Sequence, residues 1–407
     1  MIYSKLFEAY DGFKENSLIK RRFKHHDILP LIELLPFEKS VVGRSFEGRD
    51  IYKIKLGNGK RKILLWSQMH GNEATATMAI FDILKFFAAQ HDGFQDFRDN
   101  ILSHLELHFV PMINPDGAER FIRRTAQGID MNRDAVALQC PESKLLKSLV
   151  FDLQPEFSFN LHDQNIRYSA GISAEQATIS FLATAYNQET EWNEVRTKSR
   201  QVISAMNETL KEFIPNNIGR FSDEFEPRAF GDNIQKWGSS LILIESGGYK
   251  HDTEKQFIRK LNFISILSAF ESIWNDSYQK YTLNDYQNIP QNQKYLFDLK
   301  IENAQVKSGE TVFDVDLGIN LEEKNINSAS EFTHKSVIED MGDLSVFWGI
   351  KTLDAKRGFL KPIADFPDIA QKYGFQYDNL ILEGEEAHFI IDHGDHQTVI
   401  LNGKVVE

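Results

Sequence analysis

Residues 62–90 have the sequence KILLWSQMHGNEATATMAIFDILKFFAAQ, and this stretch decides how the first part of the chain folds. Residues 62–68 form a short apolar run of strand length, and residues 74–90 have the length and apolar spacing of a helix. Between them, Met69-His70-Gly71-Asn72-Glu73 breaks the apolar pattern with polar residues and a glycine. The stretch therefore predicts a strand that runs through a polar loop into a helix, a unit typical of α/β proteins.

Similar units continue on both sides of this stretch. Further strand-length apolar runs lie at residues 51–57, 105–113, 156–162 and 240–246. A helix-like segment covers 180–213, a second one covers 255–274, and the turn signal Asn114-Pro115-Asp116-Gly117 ends the run at 105–113. Strands that alternate with helices favour a sheet covered on both faces. We therefore predict an α/β domain over residues 1–275, with a mixed, mainly parallel twisted sheet and helices on both faces.

The pattern changes after this domain. Residues 276–289 are mostly polar and are predicted to be a linker. The segments that follow are mainly of strand length, and Asn402-Gly403-Lys404 between two apolar runs is a hairpin signal. We therefore predict a smaller β-rich accessory domain over residues 290–407.

Composition and charge exclude several classes of protein. The 407 residues include 46 Lys and Arg against 59 Asp and Glu, a formal charge of −13, which argues against a nucleic-acid partner. No segment approaches the roughly 20 apolar residues of a membrane span. A signal peptide has an uninterrupted apolar segment, whereas charged residues break up the start of this sequence. The single cysteine, Cys140, excludes an internal disulfide and a thiolate-rich zinc site. We expect a cytoplasmic protein with neither a nucleic-acid nor a membrane partner.

Polar side chains follow three of the predicted strands at their carboxyl ends, where open α/β sheets bind ligands. His70 and Glu73 follow one strand, His162 ends another, and Glu245 ends a third. Catalytic zinc sites use three nitrogen or oxygen ligands and leave one position for water. His70, Glu73 and His162 meet this need, and Glu245 remains as a carboxylate able to accept the proton of that water.

Each of these residues alone also has an ordinary explanation. The H-x-x-E spacing recurs at His251 and Glu254, where a solvated loop and helix start explain it better. A single His162 after an apolar run is more often a buried, hydrogen-bonded histidine, and a single Glu245 is more often a turn or helix-cap acid. The first H-x-x-E differs because it stands at a strand end beside Gly71, which permits close approach of the backbone.

A longer series of motifs separates these explanations. The chain carries, in order, H-x-x-E, Asn-Pro-Asp-Gly, R-x-x-x-x-G-x-D-x-N-R from Arg123 to Arg133, a later histidine and a strand end with glutamate. With these motifs, residues 40–275 resemble the zinc metallocarboxypeptidases, the carboxypeptidase A-like family. Five motifs in the family order are far more specific than any one of them, and the resemblance implies a carboxypeptidase-like fold.

The resemblance implies roles for the residues of the zinc site. His70, Glu73 and His162 match the ligands of one Zn²⁺ ion. Glu245 resembles the general base and acid that activates the water and later protonates the leaving amine. Asp130 matches the carboxylate that orients the first zinc histidine and raises its basicity.

The resemblance also implies residues that bind the substrate. Arg123 matches the arginine that polarises the scissile carbonyl, and Asn132 and Arg133 match the pair that holds the terminal carboxylate. The family usually carries a capping tyrosine about twenty residues before the catalytic glutamate, but residues 219–232 contain no tyrosine. Arg228 in that segment is a candidate for binding an acidic substrate group, with a solvated surface arginine as the alternative.

Three functions are compatible with these residues. The first is a zinc carboxypeptidase that hydrolyses the amide bond before a free carboxylate, with ordinary or cell-wall-derived peptides as substrates. The second is a zinc deacylase of small N-acyl amino acids, similar to the desuccinylase and aspartoacylase branch, although the Asn-Pro-Asp-Gly motif with its long spacing disfavours it. The third is a catalytically silent peptide-binding protein, which the complete set of ligands and Glu245 disfavour.

The predicted accessory domain shows no catalytic pattern. His388, His393 and His396 cluster near its end, and a polar hairpin loop explains them better than a metal site. The domain could shape the cleft, mediate oligomerisation or bind a partner, and the sequence leaves the oligomeric state open.

Overall fold

The computed structural model of the chain describes residues 2–374 and 380–406. Met1, residues 375–379 and Glu407 fall within the predicted domains and lie outside the described residues. The chain divides into two compact units, which are described separately. The first unit consists of Met1–Ile166 and Ala177–Asn292, and the second consists of Arg167–Gln176 and Gln293–Glu407.

The strands of the described residues form two large sheets and one short two-stranded sheet. In the first half of the chain they are β1 (Glu38–Arg44), β2 (Asp50–Leu56), β3 (Arg61–Ser67), β4 (Leu105–Val110), β5 (Phe157–Asp163), β6 (Ser169–Ala170), β7 (Ile179–Leu182), β8 (Ile218–Arg220) and β9 (Ser240–Ser246). In the second half they are β10 (Asn292–Gln293), β11 (Leu296–Ser308), β12 (Thr311–Ile326), β13 (Glu331–Gly342), β14 (Trp348–Asp354), β15 (Phe359–Lys361), β16 (Phe389–Asp392), β17 (Gln397–Leu401) and β18 (Lys404–Val405).

The helices are concentrated in the first unit. They are α1 (Ile2–Ala9), α2 (His25–Leu34), α3 (Thr75–Ala88), α4 (Gln95–His104), α5 (Pro115–Arg120), α6 (Pro141–Leu153), α7 (Glu194–Leu210), α8 (Phe230–Lys236), α9 (Gln256–Trp274) and α10 (Leu283–Gln287), with α11 (Pro367–Tyr373) in the second unit.

The first unit is built on an eight-stranded sheet of order β1-β2-β4-β3-β5-β9-β7-β8. The central strands β4, β3, β5 and β9 are parallel, whereas β2 and β7 pair antiparallel with β4 and β9. Both faces of the sheet are covered. Phe159 of β5 packs its ring against Phe270 of α9, while Leu243 of β9 joins a core cluster with Leu146 of α6 and Ile234 of α8. The predicted α/β fold with helices on both faces is therefore confirmed.

Two segments differ from the local prediction. Asn114–Gly117 begins the helix α5 rather than forming a simple turn, because the Asn114 side chain accepts a hydrogen bond of 2.9 Å from the Gly117 N–H and Pro115 fits the first helical turn. Residues 180–213 do not form one helix. They begin within strand β7, where the buried Phe181 side chain belongs to the sheet, and the helix α7 starts only at Glu194.

The stretch at 276–289, expected to be a linker, belongs to the first unit. It forms a 3-10 helix at Ser277–Lys280 and the helix α10. Tyr278 and Ile289 are buried, and Tyr286 is buried with its hydroxyl accepting a hydrogen bond of 3.0 Å from the Ala183 N–H. A few apolar and aromatic side chains therefore anchor a segment whose composition is otherwise polar.

The second unit contains the other large sheet, of order β13-β12-β11-β15-β16-β17-β18, with β14 parallel to β11. This confirms the β-rich character expected near the end of the chain. The tail hairpin joins β17 to β18 through Asn402 and Gly403, whose φ angles of +49° and +67° are those of a type I′ turn. His393 and His396 stack their rings 4.4 Å apart in the turn between β16 and β17.

Among the described helices, none combines the length and the apolar character that crossing a bilayer requires.

Candidate metal centre

The loop between β3 and α3 places the first two candidate ligands. His70 and Glu73 are buried, and the Glu73 N–H donates a hydrogen bond of 3.0 Å to the His70 carbonyl in a tight turn. Gly71 lies against the start of α5, where an added Cβ atom would come 2.0 Å from the carbonyl carbon of Gly117. Only glycine fits at this contact, so the close approach of two backbones fixes the loop and the direction of its side chains.

The third candidate ligand comes from the next strand of the sheet. β5 pairs in parallel with β3 and carries the buried His162 one residue before its end. The Glu73 carboxylate lies between the two imidazoles: its Oε1 is 2.8 Å from Nδ1 of His70, and its Oε2 is 2.7 Å from Nδ1 of His162. Ligand atoms of these three residues all lie within 4.8 Å of one another, and residues 2–374 and 380–406 contain no other such group of three histidine, cysteine or acidic side chains.

The chemistry of these contacts fits a zinc ion. Both ring nitrogens of His70 face carboxylates, since Nε2 lies 3.1 Å from Oδ1 of Asp130 while Nδ1 faces Glu73. A neutral imidazole has one N–H, so with Nε2–H donating to Asp130 the lone pair of Nδ1 faces Oε1 of Glu73, and Nη1 of Arg123 lies 3.2 Å from the same nitrogen. A nitrogen lone pair beside a carboxylate oxygen is the arrangement that a divalent ion binds. Two imidazoles and a carboxylate are also a donor set of catalytic zinc sites, so these residues fit the metal.

The pKa values of the three side chains reflect this crowding of charge. Burial alone lowers the pKa of His70, but the carboxylates of Glu73 and Asp130 outweigh it and hold that pKa above its ordinary value. Burial would raise the pKa of Glu73, but the two imidazoles outweigh it and keep the pKa below its usual range. For His162, burial dominates and lowers the pKa. These directions favour an ionised Glu73 and a neutral His162, as ligands must be, whereas His70, with its raised pKa, would release a proton when it binds a metal.

Asp130 and Arg123 lie next to the candidate ligands His70 and Glu73. Oδ1 of Asp130 faces His70, and its Oδ2 accepts a hydrogen bond of 3.0 Å from Nε of Arg123. The guanidinium Nη1 lies 3.4 Å from Oε1 of Glu73, and the Arg123 side chain is 45% exposed. Arg123 is thus held against the site by Asp130 with donors available to a ligand.

We expect the Asp130→Asn variant to bind zinc about 10–100-fold more weakly, because the carboxylate that fixes the His70 tautomer is lost. The measurement is a titration of zinc against a competing chelator. Asp134→Asn is the control, since Asp134 lies in the same segment but accepts hydrogen bonds from the Gln139 and Cys140 N–H groups. The affinity of this control variant for zinc should be unchanged. Equal zinc affinities of the Asp130→Asn and unmodified proteins would contradict this role.

Glu245 stands beside His162 because β5 and β9 are neighbours in register. The parallel pairing aligns His162 with Glu245, so the two side chains lie on the same face of the sheet. Oε2 of Glu245 is buried and has no hydrogen-bond partner within the part of the chain that the structure describes. Burial, together with the negative charges of Glu73 and Asp163, raises the pKa of Glu245 well above its ordinary value. A carboxyl with a raised pKa is suited to both accepting and donating a proton.

A buried ion pair beneath the site was not identified from the sequence. Lys255 is buried, and its Nζ donates hydrogen bonds to Oδ2 of Asp163 at 3.0 Å and to the Ser246 carbonyl at 2.8 Å. Thr75 donates to the same carboxylate oxygen at 2.6 Å. These contacts tie the end of β5 to the end of β9. No local pattern marks Lys255, because it precedes the helix α9 while its partners lie on the strands β5 and β9.

The residues expected to hold a substrate carboxylate lie in a 3-10 turn after Asp130. The side chain of Asn132 accepts a hydrogen bond of 2.9 Å from the Phe230 N–H, and Nη1 of Arg133 donates to the Asn132 carbonyl at 2.8 Å. The Arg228 side chain is 58% exposed and forms an ion pair with Glu226. Arg133 forms an ion pair with the same carboxylate. Glu226 was overlooked in the sequence, although it lies in the segment that lacks a tyrosine.

The second H-x-x-E copy has a different environment. His251 is exposed in a loop, and Oε2 of Glu254 accepts a hydrogen bond of 2.8 Å from the Arg21 N–H. Neither residue belongs to the metal group, and the helix α9 begins just after them at Gln256.

Part of the chain is similar in sequence to known carboxypeptidases. Residues 37–199 match the family model described as zinc carboxypeptidase. The chain is 26% identical over 141 residues to carboxypeptidase Z of Gallus gallus, and this alignment covers 28% of the chain and 22% of the relative. It is 29% identical over 105 residues to a probable carboxypeptidase 2 of Trichophyton verrucosum, and this alignment covers 25% of the chain and 20% of the relative. The matches thus span about a fifth of the length of these relatives.

The fold has a counterpart among solved structures. Bovine thrombin-activatable fibrinolysis inhibitor, solved in complex with tick carboxypeptidase inhibitor, aligns with 63% of this chain and 99% of its own, with a TM-score of 0.50 and 14% identity. At this identity the alignment establishes the fold alone. Together with the family match and the convergence of His70, Glu73 and His162, it confirms the resemblance of this chain to the zinc carboxypeptidases.

Proposed function

We propose that this protein is a zinc-dependent carboxypeptidase that hydrolyses the C-terminal amide bond of peptides. The observation that carries the proposal is the convergence of His70, Glu73 and His162 on one point, with Glu245 beside them in register. Three ligands and one free carboxylate are what hydrolysis by a metal-activated water requires.

Each side chain of the site has a chemical task in this reaction. Zinc held by His70, Glu73 and His162 would supply a Lewis acid and lower the pKa of a bound water to about 7. Glu245 accepts a proton from the attacking water and returns it to the leaving amine, which its raised pKa supports. Arg123, held by Asp130 with its guanidinium half-exposed, donates to the oxygen on which negative charge develops.

Specificity for a chain end follows from the segment after Asp130. Asn132 and Arg133 are proposed to hold the terminal carboxylate of the peptide, since a guanidinium binds a carboxylate through two parallel hydrogen bonds. The backbone N–H of Asn132 donates to Oδ1 of Asp130 at 2.9 Å, so the zinc side and the carboxylate side of the site share one rigid turn. The distance between the hydrolysed bond and the chain end is thereby fixed.

A pair of matched peptides tests this proposal. We expect an N-blocked peptide with a free C-terminal carboxylate to be hydrolysed with a kcat/KM about 100-fold above that of the same peptide with a C-terminal amide. The reason is the loss of charge-assisted hydrogen bonds, each worth about 1.5–3 kcal/mol. The measurement is release of the terminal amino acid by the zinc-loaded protein.

The same assay distinguishes the alternatives. Equal hydrolysis of the amide and the acid would contradict recognition of a terminal carboxylate. Hydrolysis of small N-acyl amino acids without hydrolysis of longer peptides would favour the deacylase. Zinc bound at one equivalent without hydrolysis of either class would favour a binding protein.

A further inference from the structure

One carboxylate of the protein itself bridges two arginines next to the residues proposed to hold the substrate. Oε2 of Glu226 lies 3.1 Å from Nε of Arg133. Both oxygens of Glu226 are also bound by Arg228, whose Nε and Nη2 donate hydrogen bonds of 2.9 and 3.0 Å. Glu226 therefore makes the two-pronged contact with guanidinium groups that a terminal carboxylate would make.

The backbone holds this carboxylate in place. The Glu226 N–H donates a hydrogen bond of 2.7 Å to Oδ2 of Asp232, and the Ala229 N–H donates to the Glu226 carbonyl at 2.9 Å. The same segment is joined to the 3-10 turn, because the Ala135 N–H donates to the Arg228 carbonyl at 3.0 Å. The position of Glu226 is thus set by the fold rather than by an extended flexible loop.

The contact is nevertheless accessible and exchangeable. The side chains of Arg133, Arg228 and Glu226 are 40%, 58% and 28% exposed. Ion pairs at such exposure contribute only about 0–1 kcal/mol, so another carboxylate can compete for the same guanidinium groups. The two guanidinium groups share a single carboxylate between them, so each has donors left for a second carboxylate.

We propose that Glu226 is an internal competitor that occupies the Arg133–Arg228 pair and is displaced by the terminal carboxylate of the substrate. The inference rests on the proposed function, since it assigns this arginine pair to the end of the peptide. Glu226 then sets how tightly a free carboxylate binds, and Arg228 joins Arg133 in receiving it.

A ligand without an amide bond tests this inference separately from hydrolysis. We expect the zinc-loaded Glu226→Gln variant to bind 3-phenylpropanoate about fivefold more tightly than the unmodified protein, measured by isothermal titration calorimetry, because the internal charge no longer competes. Binding of uncharged 3-phenylpropanamide should not change. Glu226→Asp, which keeps the charge, should bind the acid as the unmodified protein does.

Two further variants make the result specific to this cluster. Glu224→Gln removes the same charge from an exposed residue of the same segment and should change the affinity for the acid less than twofold. In the Arg133→Gln background, the gain from Glu226→Gln should disappear. The inference would be overturned if Glu226→Gln bound 3-phenylpropanoate with unchanged or weaker affinity. It would also be overturned if the gain persisted in the Arg133→Gln background, or if no variant bound the acid at all. Peptide hydrolysis by the unmodified protein tests the proposed function independently, because none of these binding outcomes depends on hydrolysis.

Discussion

Glu245→Gln is expected to lower kcat for a peptide acid by about 10²–10⁴-fold, the usual contribution of a positioned proton acceptor and donor. Glutamine preserves the shape of the side chain but cannot accept the proton of the attacking water. Its effect should fall on kcat rather than on the zinc content, because Glu245 is not one of the three ligand residues. The measurement is kcat at saturating peptide, together with the zinc content of the same sample.

The matched control is Glu254→Gln, the glutamate of the second H-x-x-E copy. Its Oε2 accepts a hydrogen bond from the Arg21 N–H away from the metal group, so kcat should stay within about twofold of the unmodified protein. A Glu245→Gln variant that retains kcat would contradict the role of Glu245, whereas a variant that loses zinc would indicate that Glu245 is itself a ligand.

His162→Gln is expected to lower the bound zinc from about one equivalent to a small fraction and to abolish hydrolysis. The imidazole is one of the three proposed ligands, and the amide of glutamine would replace it poorly. Zinc should also raise the Tm of the unmodified protein but not that of the variant, because a ligand that binds only the folded state stabilises it by about 2.7 kcal/mol at a hundredfold excess over its Kd. The measurements are zinc content after dialysis and Tm with and without added zinc.

His108→Gln is the control for this experiment. His108 is also a buried histidine that contacts a carboxylate, with Nε2 2.9 Å from Oε1 of Glu106, but it does not belong to the metal group. Its variant should bind zinc as the unmodified protein does. Retention of one zinc equivalent by His162→Gln, or loss of zinc by both variants, would contradict the assignment of His162.

The candidate site could be inferred from the sequence because its residues occupy strand ends. His162 and Glu245 lie one residue before the ends of neighbouring parallel strands, and the loop that carries His70 follows a third strand, so all three lie at the carboxyl ends of the central strands. Asp130 was implied only by the family resemblance, because nothing in its own segment indicates a partner 60 positions earlier in the chain.

Other features depend on contacts that no local pattern contains. Lys255 and Glu226 were missed because each has one partner far away in the chain, Asp163 and Arg133 respectively, and a single charged residue in a loop resembles any solvated one. The stretch 276–289 was expected to be a linker since polar residues predominate, yet Tyr278 and Tyr286 are buried in the first unit. In contrast, Asn402-Gly403 predicted its hairpin because a type I′ turn demands positive φ at both positions.

The most direct test of the central claim is anomalous diffraction at the zinc edge from crystals of the purified protein. The account predicts one strong peak about 2.0–2.2 Å from Nδ1 of His70, a carboxylate oxygen of Glu73 and Nδ1 of His162, with Glu245 near the ion but outside its ligand set. Zinc bound elsewhere in the chain, or crystals grown with zinc that show no peak among these three residues, would contradict it.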